Sequence, residues 1–173
     1  MDATTEHEPI RADISTTVER KSERELVVSR TINAPARVVF DAWTKPELFE
    51  RWWAPKSFPI SLLSCELDVR VGGRYRLVFG YEGSTVEFFG TYLEVTPRSR
   101  LVWTNDEGDA GPVTTVTFEE TGGKTLVVAT DLYPSKEALD VAIASGSTGM
   151  SGMPEALEQL DELLLSLDDS AGG

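Results

Sequence analysis

Between Ile60 and Leu132 the apolar residues of this chain recur at every second position. Leu63, Cys65, Leu67, Val69 and Val71 alternate with Ser64, Glu66, Asp68 and Arg70, the pattern of a strand with one buried and one wet face. After Gly72-Gly73 the period resumes in Tyr75, Leu77, Phe79 and Tyr81, alternating with Arg74, Arg76 and Val78. A two-residue Gly-Gly turn would pair Val71 with Arg74 and mix the faces. A three-residue loop with a bulge pairs Val71 with Tyr75 and keeps apolar with apolar, and this is the turn predicted. Further strands are predicted over 86–95, 99–105, 112–119 and 124–132, separated by Glu82-Gly83-Ser84, Pro97-Arg98, Asp106-Glu107-Gly108-Asp109 and Thr121-Gly122-Gly123. Sequential strands with short connections make an antiparallel meander.

The flanks have other periods. Residues 1–22 are polar and charged without an apolar repeat and are predicted to be a disordered tail. Leu26–Ile32 is β-branched and reads as a strand. Asn33-Ala34-Pro35 then stops the strand and opens a helix, Asn33 as cap and Pro35 in the first turn, with Val38, Val39, Ala42 and Trp43 as its stripe. Thr44-Lys45-Pro46-Glu47 repeats the signal for a second short helix bearing Leu48, Phe49, Trp52 and Trp53, which Pro55 and Pro59 end. Past the sheet, Ser135 caps a short helix with Ala138, Val141 and Ile143, and Gly146-Ser147-Thr148-Gly149 loosens it. Met150, Met153, Leu157, Leu160, Leu164 and Leu167 then recur at helical spacing, with Pro154 in the first turns and Glu155, Glu158, Asp161 and Glu162 opposite. The fold class is α+β. One apolar sheet face needs a cover, and the last helix is the long amphipathic element available. A curved antiparallel sheet wraps it, with two short helices after the first strand. The domain spans 23–168, and 169–173 are a disordered tail.

With 173 residues there is room for one domain that holds its core without disulfide or metal. Sixteen Lys and Arg against 29 Asp and Glu give a net charge of −13. That argues against nucleic acid and against docking on an anionic membrane, both of which need clustered positive charge. Cys65 is the one cysteine and His7, in the tail, the one histidine. Internal disulfides, multi-thiolate metal sites and histidine-based catalysis within the domain are therefore excluded. No run is long and apolar enough to span a membrane, and the start lacks the order of a secretory signal. The expectation is a cytoplasmic protein with no metal, no cofactor and no membrane insertion.

On the parity argument the inward face carries Cys65, Tyr75, Phe79, Trp103, Phe118 and Leu126, joined by Met150, Met153 and Leu157 from the last helix. Phe88 joins them unless Gly90 introduces a bulge that turns it. Aromatic and methionine side chains suit planar apolar ligands; the competing reading is that the same residues simply fill a core. Trp53 either guards a cavity mouth or clamps the short helices on the sheet. Asp68, Arg70, Arg74 and Arg76 fall on the wet face as a charge network. The acidic turn 106–109 lacks a calcium-loop pattern, and an inward Cys65 is an inert thiol.

Four segments together resemble a known family. They are Arg24–Val28 leading into Asn33-Ala34-Pro35 and Val39–Glu47; Arg51-Trp52-Trp53-Ala54-Pro55; Asp68–Arg76; and Gly149–Met153 before Leu157, Leu160 and Leu163. In that order they resemble the SRPBCC, or START-like, superfamily, within it the branch named after the activator of heat-shock-protein-90 ATPase. Many relatives carry Gly-Trp before the last helix, where Gly152-Met153 stands here. The resemblance implies a helix-grip fold with an apolar cavity, and functions from lipid carriage to polyketide cyclisation, hormone sensing and chaperone binding. It leaves three readings: a non-enzymatic binder of a hydrophobic small molecule; a cyclase or lyase, needing Glu87 or Tyr75 to face inward; and a module whose acidic last helix meets a chaperone. Partnership with a second copy of the chain stands beside the last.

Overall fold

The computed structural model describes residues 16–106, 111–145 and 152–172, without side chains beyond 167. Its elements are β1 (Thr17–Arg20), β2 (Glu25–Ile32), α1 (Ala36–Thr44), α2 (Pro46–Phe49), β3 (Ser61–Leu67), β4 (Arg74–Tyr81), β5 (Ser84–Thr96), β6 (Arg100–Thr104), β7 (Val113–Thr121), β8 (Lys124–Leu132), α3 (Lys136–Ser145) and α4 (Met153–Gly172). The strands form one eight-stranded antiparallel sheet in the order β1-β2-β8-β7-β6-β5-β4-β3. From β3 to β8 the chain is the predicted meander. β8 then closes on β2, with Val28 opposite Ala129 and Ile32 opposite Thr125. The curved sheet grips α4, whose buried stripe is Met153, Ala156, Leu157, Leu160 and Leu164.

The β7–β8 hairpin decides which face of β8 is buried. Thr121 pairs with Lys124 across Gly122 and Gly123, which take φ of 60° and 81°. Two successive positive φ values define the tight hairpin turn that only glycine-rich pairs adopt easily. This turn puts Val127 opposite Phe118 and Asp131 opposite Thr114. Leu126, predicted to face inward, is therefore on the outer face and 38% exposed. Thr125, Val127, Ala129 and Asp131 face in.

Other expectations change locally. Thr17–Arg20, placed in a disordered tail, pair with Leu26–Ser29 as an edge strand; residues 1–15 lie outside the described ones. β3 ends at Leu67, so Leu67 rather than Val71 faces Tyr75, and Val71 is exposed. Its connection is instead tied down by Asp68 N–H to Arg74 O (3.0 Å) and Gly72 N–H to Tyr92 O (2.9 Å). A shift in register between Leu62 and Ser64 extrudes Leu63 into solvent. Asn33 does not cap α1. Pro35 stands at the cap position, Glu120 accepts from Ala36 N–H (2.8 Å), and the Asn33 side chain turns to Asp161. α2 ends at Phe49, before the two tryptophans assigned to it. Ser135 does cap α3 through Ala138 N–H (3.0 Å), but α3 buries Leu139 and Ala142 while Val141 and Ile143 face outward. α4 runs to Gly172, through residues placed in a C-terminal tail.

Its acidic side is also not wholly solvated. Asp161 is buried against Arg30 (3.2 Å) and accepts from Asn33 N–H (3.0 Å). Gln159 locks the segment after α2 onto the helix: its amide donates to Trp52 O (2.9 Å) and Ala54 O (3.0 Å), and its Oε1 accepts from Lys56 N–H (2.8 Å). Glu155 accepts from both the N–H and the hydroxyl of Ser57. This segment thereby becomes a fixed wall beside the start of α4.

Candidate ligand cavity

The wall, the sheet and the start of α4 enclose a cavity of about 460 Å³, within the range of ligand pockets, ~300–1,000 Å³. Register explains its floor. Leu26, Asp131, Thr114, Trp103 and Tyr92 stand opposite one another on β2, β8, β7, β6 and β5 as a single row. Four of the five, all but Leu26, line the cavity. β4 adds Tyr75, Leu77 and Phe79; Gly152, Met153 and Ala156 close the helix side; Trp53, Pro55, Phe58 and Ile60 form the wall.

Gly90 makes one corner feasible. A Cβ there would lie 1.9 Å from Thr104 O and 2.7 Å from the Tyr75 ring. Only a hydrogen in that position lets the end of β6 approach and the Tyr75 ring lie across it. Gly90 introduces no shift in the β4–β5 register, and Phe88 lines the cavity beside Phe79, ring centroids 5.5 Å apart.

Three indoles meet here: Trp43, from α1, lies 5.7 Å from Trp53 and 6.1 Å from Trp103 between ring centroids. Trp52 is fully buried behind them and donates to Ala42 O (3.0 Å). Of the two adjacent tryptophans, one is thus core and the other lining.

Polar groups gather at one end. The Tyr75 hydroxyl is held by Thr104 O (2.9 Å) and Asn105 Oδ1 (3.1 Å). The Asn105 amide donates to Pro112 O (2.8 Å) and Thr114 Oγ1 (2.9 Å), and the Thr114 hydroxyl lies 2.5 Å from Asp131 Oδ1. Burial pushes the Asp131 carboxyl up to about 7, against the opposing effect of the Thr114 hydrogen bond. Burial likewise raises Cys65 to about 12, with Glu50 and Glu66 adding to it, consistent with an unreactive thiol.

Of the residues predicted to bind a ligand, Trp53, Tyr75, Phe79, Phe88, Trp103 and Met153 line the cavity. Cys65 is half-buried against the core, while Phe118 and Leu157 are buried in it, Phe118 edge-on to Phe40. Leu126 is on the far face, and Met150 lies outside the described residues, as do 107–109 of the acidic turn and the Gly146–Gly149 break. Sequence reasoning missed Trp43, Tyr92, Asn105, Thr114 and Asp131. Glu87 faces solvent, paired with Arg76 (3.0 Å), which also reaches Glu66 (3.6 Å) in the outer-face charge network. Among the described residues no group of His, Cys, Asp and Glu is placed to hold a metal, and no helix is long and apolar enough to cross a membrane.

A curved antiparallel sheet closed on a C-terminal helix over an apolar cavity defines the helix-grip class. Within it, the chain belongs to the family described as activator of Hsp90 ATPase homolog 1-like protein, which matches residues 33–165. Similar solved structures include a Staphylococcus epidermidis protein (30% identity, TM-score 0.72, covering 87% of this chain and 94% of that one). Another is from Nitrosomonas europaea (26%, TM-score 0.75, covering 86% and 98%). An AHSA1-like protein of Aeromonas hydrophila shares the fold at 22% identity (TM-score 0.63, covering 82% and 94%). No functionally curated protein matches the chain.

Proposed function

We propose that this domain binds a hydrophobic small molecule between sheet and helix. One observation carries the reading: a cavity of about 460 Å³ whose walls are mostly aromatic and aliphatic. Burying a ligand against such walls contributes roughly 25 cal/mol per Å² of apolar surface removed from water. The test is thermal denaturation of the wild type and of Ala156→Phe against a panel of apolar compounds, with native mass spectrometry of the purified protein. Binding raises the wild-type Tm; the variant, its cavity filled from α4, folds but shows no shift. A panel without effect on the wild type, and a bare mass, would sink the reading.

A second reading, a cyclase- or lyase-like enzyme, rests on Asp131 alone. Glu87 faces solvent and the inward-facing Tyr75 hydroxyl is already engaged by Thr104 O and Asn105 Oδ1, whereas a buried carboxyl near neutrality lines the cavity. Recovering a bound compound unchanged after prolonged incubation counts against turnover. The chaperone association in the family's name has less support here: Asp161 and Glu155 of the acidic helix are engaged internally, leaving Glu158 and Glu162 exposed.

A further inference from the structure

The polar end of the cavity is directional. The Asn105 amide nitrogen donates to Pro112 O and to Thr114 Oγ1, and its two hydrogens are thereby used. Thr114 Oγ1 accepts from Asn105, so its own single hydrogen goes to Asp131 Oδ1. The Tyr75 hydroxyl is directed at two acceptors, Thr104 O and Asn105 Oδ1. With Asp131 ionised, every donor of this network is engaged within the protein. What this network then leaves for a ligand is an acceptor, the second oxygen of Asp131, since the Thr114 contact is the one hydrogen bond found for that carboxyl among the described residues; apart from the network, the buried Trp43 indole N–H, also in the lining, is a neutral donor with no hydrogen-bond partner among the described residues.

The surrounding electrostatics have the same sign. Among the described residues no lysine, arginine or histidine lines the cavity, and Asp131 is its one carboxyl group. Beside Asp131 in the same row, with Thr114 between, stands Trp103. Its ring lies 6.1 Å from that of Trp43 and 6.3 Å from that of Tyr92 between centroids. Aromatic faces carry negative quadrupole density and attract cations, most strongly where water is excluded. An isolated cation in such a pocket would be costly, so it needs a partner carboxylate in reach. An anionic ligand would meet no compensating charge.

Building on the cavity reading, we propose that this site selects hydrophobic ligands that carry one basic amine, the nitrogen seated on Asp131 and the apolar body among Trp43, Trp103 and Tyr92. Such binding depends on pH. Without a ligand, Asp131 holds its proton up to about 7. A bound ammonium favours the ionised form, so amine affinity rises with pH from 5 to 8, while the alkylammonium itself stays charged up to roughly pH 10. Among the described residues the groups facing Asp131 do not titrate in that window: β2 sets Leu26 beside it, β7 sets Thr114, and Met153 and Ala156 roof the cavity from α4. Tyr133, the titratable neighbour that feels its charge, is raised to about 12, mainly by burial.

The experiment is calorimetric titration with phenylhexylamine, phenylhexanol and phenylhexanoic acid, equal in length and differing in head group. At pH 8 the amine binds more tightly than the alcohol by roughly 10- to 100-fold, the worth of a charge-assisted hydrogen bond, and the acid binds weakest. Asp131→Asn, which keeps the acceptor for Thr114, removes the advantage of the amine over the alcohol. In the wild type the amine strengthens between pH 5 and 8 and the alcohol does not, a readout independent of any variant. Equal binding of all three, tightest binding of the acid, or an amine preference that survives Asp131→Asn overturns the amine proposal and leaves the cavity reading standing. Failure of all three together with the wider apolar panel removes both.

Discussion

Two buried aspartates divide the molecule. Asp161 on α4 is 6% exposed and Asp131 on β8 is 3% exposed, yet their surroundings are opposite. Asp161 is enclosed by Arg30, the Asn33 N–H and the Asn33 side-chain amide. Asp131 has the Thr114 hydroxyl and the cavity. The first joins helix to sheet, holding α4 to the segment between β2 and α1. The second has the Thr114 hydroxyl as its one hydrogen-bond partner among the described residues, and under the proposed reading the amine of a ligand would be the next. Burial alone therefore does not distinguish the two carboxylates; the number of their partners does.

The largest effect expected from this contrast is at Asp161. Asp161→Ala leaves the part-buried Arg30 without its counter-ion and two Asn33 donors without an acceptor, and costs about 3–5 kcal/mol in urea denaturation. A loss below about 1 kcal/mol would mean that the pair is not what joins helix and sheet.

Asp131→Asn moves the other way. The unfolded carboxyl titrates near 3.8 and the folded one near 7. Between those values the native state keeps a proton that the unfolded chain has released, so stability falls as pH rises through the window and the loss is complete above it. Removing the charge gains about 2–3 kcal/mol at pH 8, after allowing for an amide nitrogen left unpaired in the cavity. The gain disappears towards pH 4. A pH-independent difference would break the contrast between the two aspartates.

Thr114→Val sharpens it. The substitution removes the donor to Asp131 and the acceptor for Asn105, costing about 1–2 kcal/mol, more at pH 8 than at pH 5. An equal loss at both values would mean that Thr114 supports Asn105 alone. The smallest effect is at Glu87, whose carboxyl the exposed Arg76 holds below its ordinary range. Glu87→Gln leaves Tm unchanged within error, because an exposed ion pair is screened by water and salt.

The meander, the two short helices and the long amphipathic helix were legible because their periods are clean. The inward aromatic positions of β4 were legible for the same reason: Arg74 and Arg76, alternating with Tyr75 and Leu77, leave one reading. β8 was different. Lys124–Leu132 carries Leu126 and Val128 on one face and Val127 and Ala129 on the other, so hydrophobicity does not choose between them. The turn does. With Phe118 inward, two residues at Gly122-Gly123 force Val127 inward, and with it Asp131 opposite Thr114. That signal was present in the chain, but the size of Leu126 obscured it. The bulge at Leu63, the early end of β3 and the diversion of Asn33 to Asp161 depend on contacts between distant segments, which no local pattern encodes.

The arrangement of tryptophans has an optical consequence. Of the four in the chain, Trp43, Trp53 and Trp103 line the cavity, and Trp43 also sits 4.8 Å from the enclosed Trp52 between ring centroids. At such separations the indoles exchange excitation and couple their transitions, so a molecule arriving among three of them alters the emission of the whole set. The unlabelled protein carries its own occupancy signal, and the rate at which a cavity guest arrives or leaves can be followed by stopped-flow fluorescence without attaching a dye.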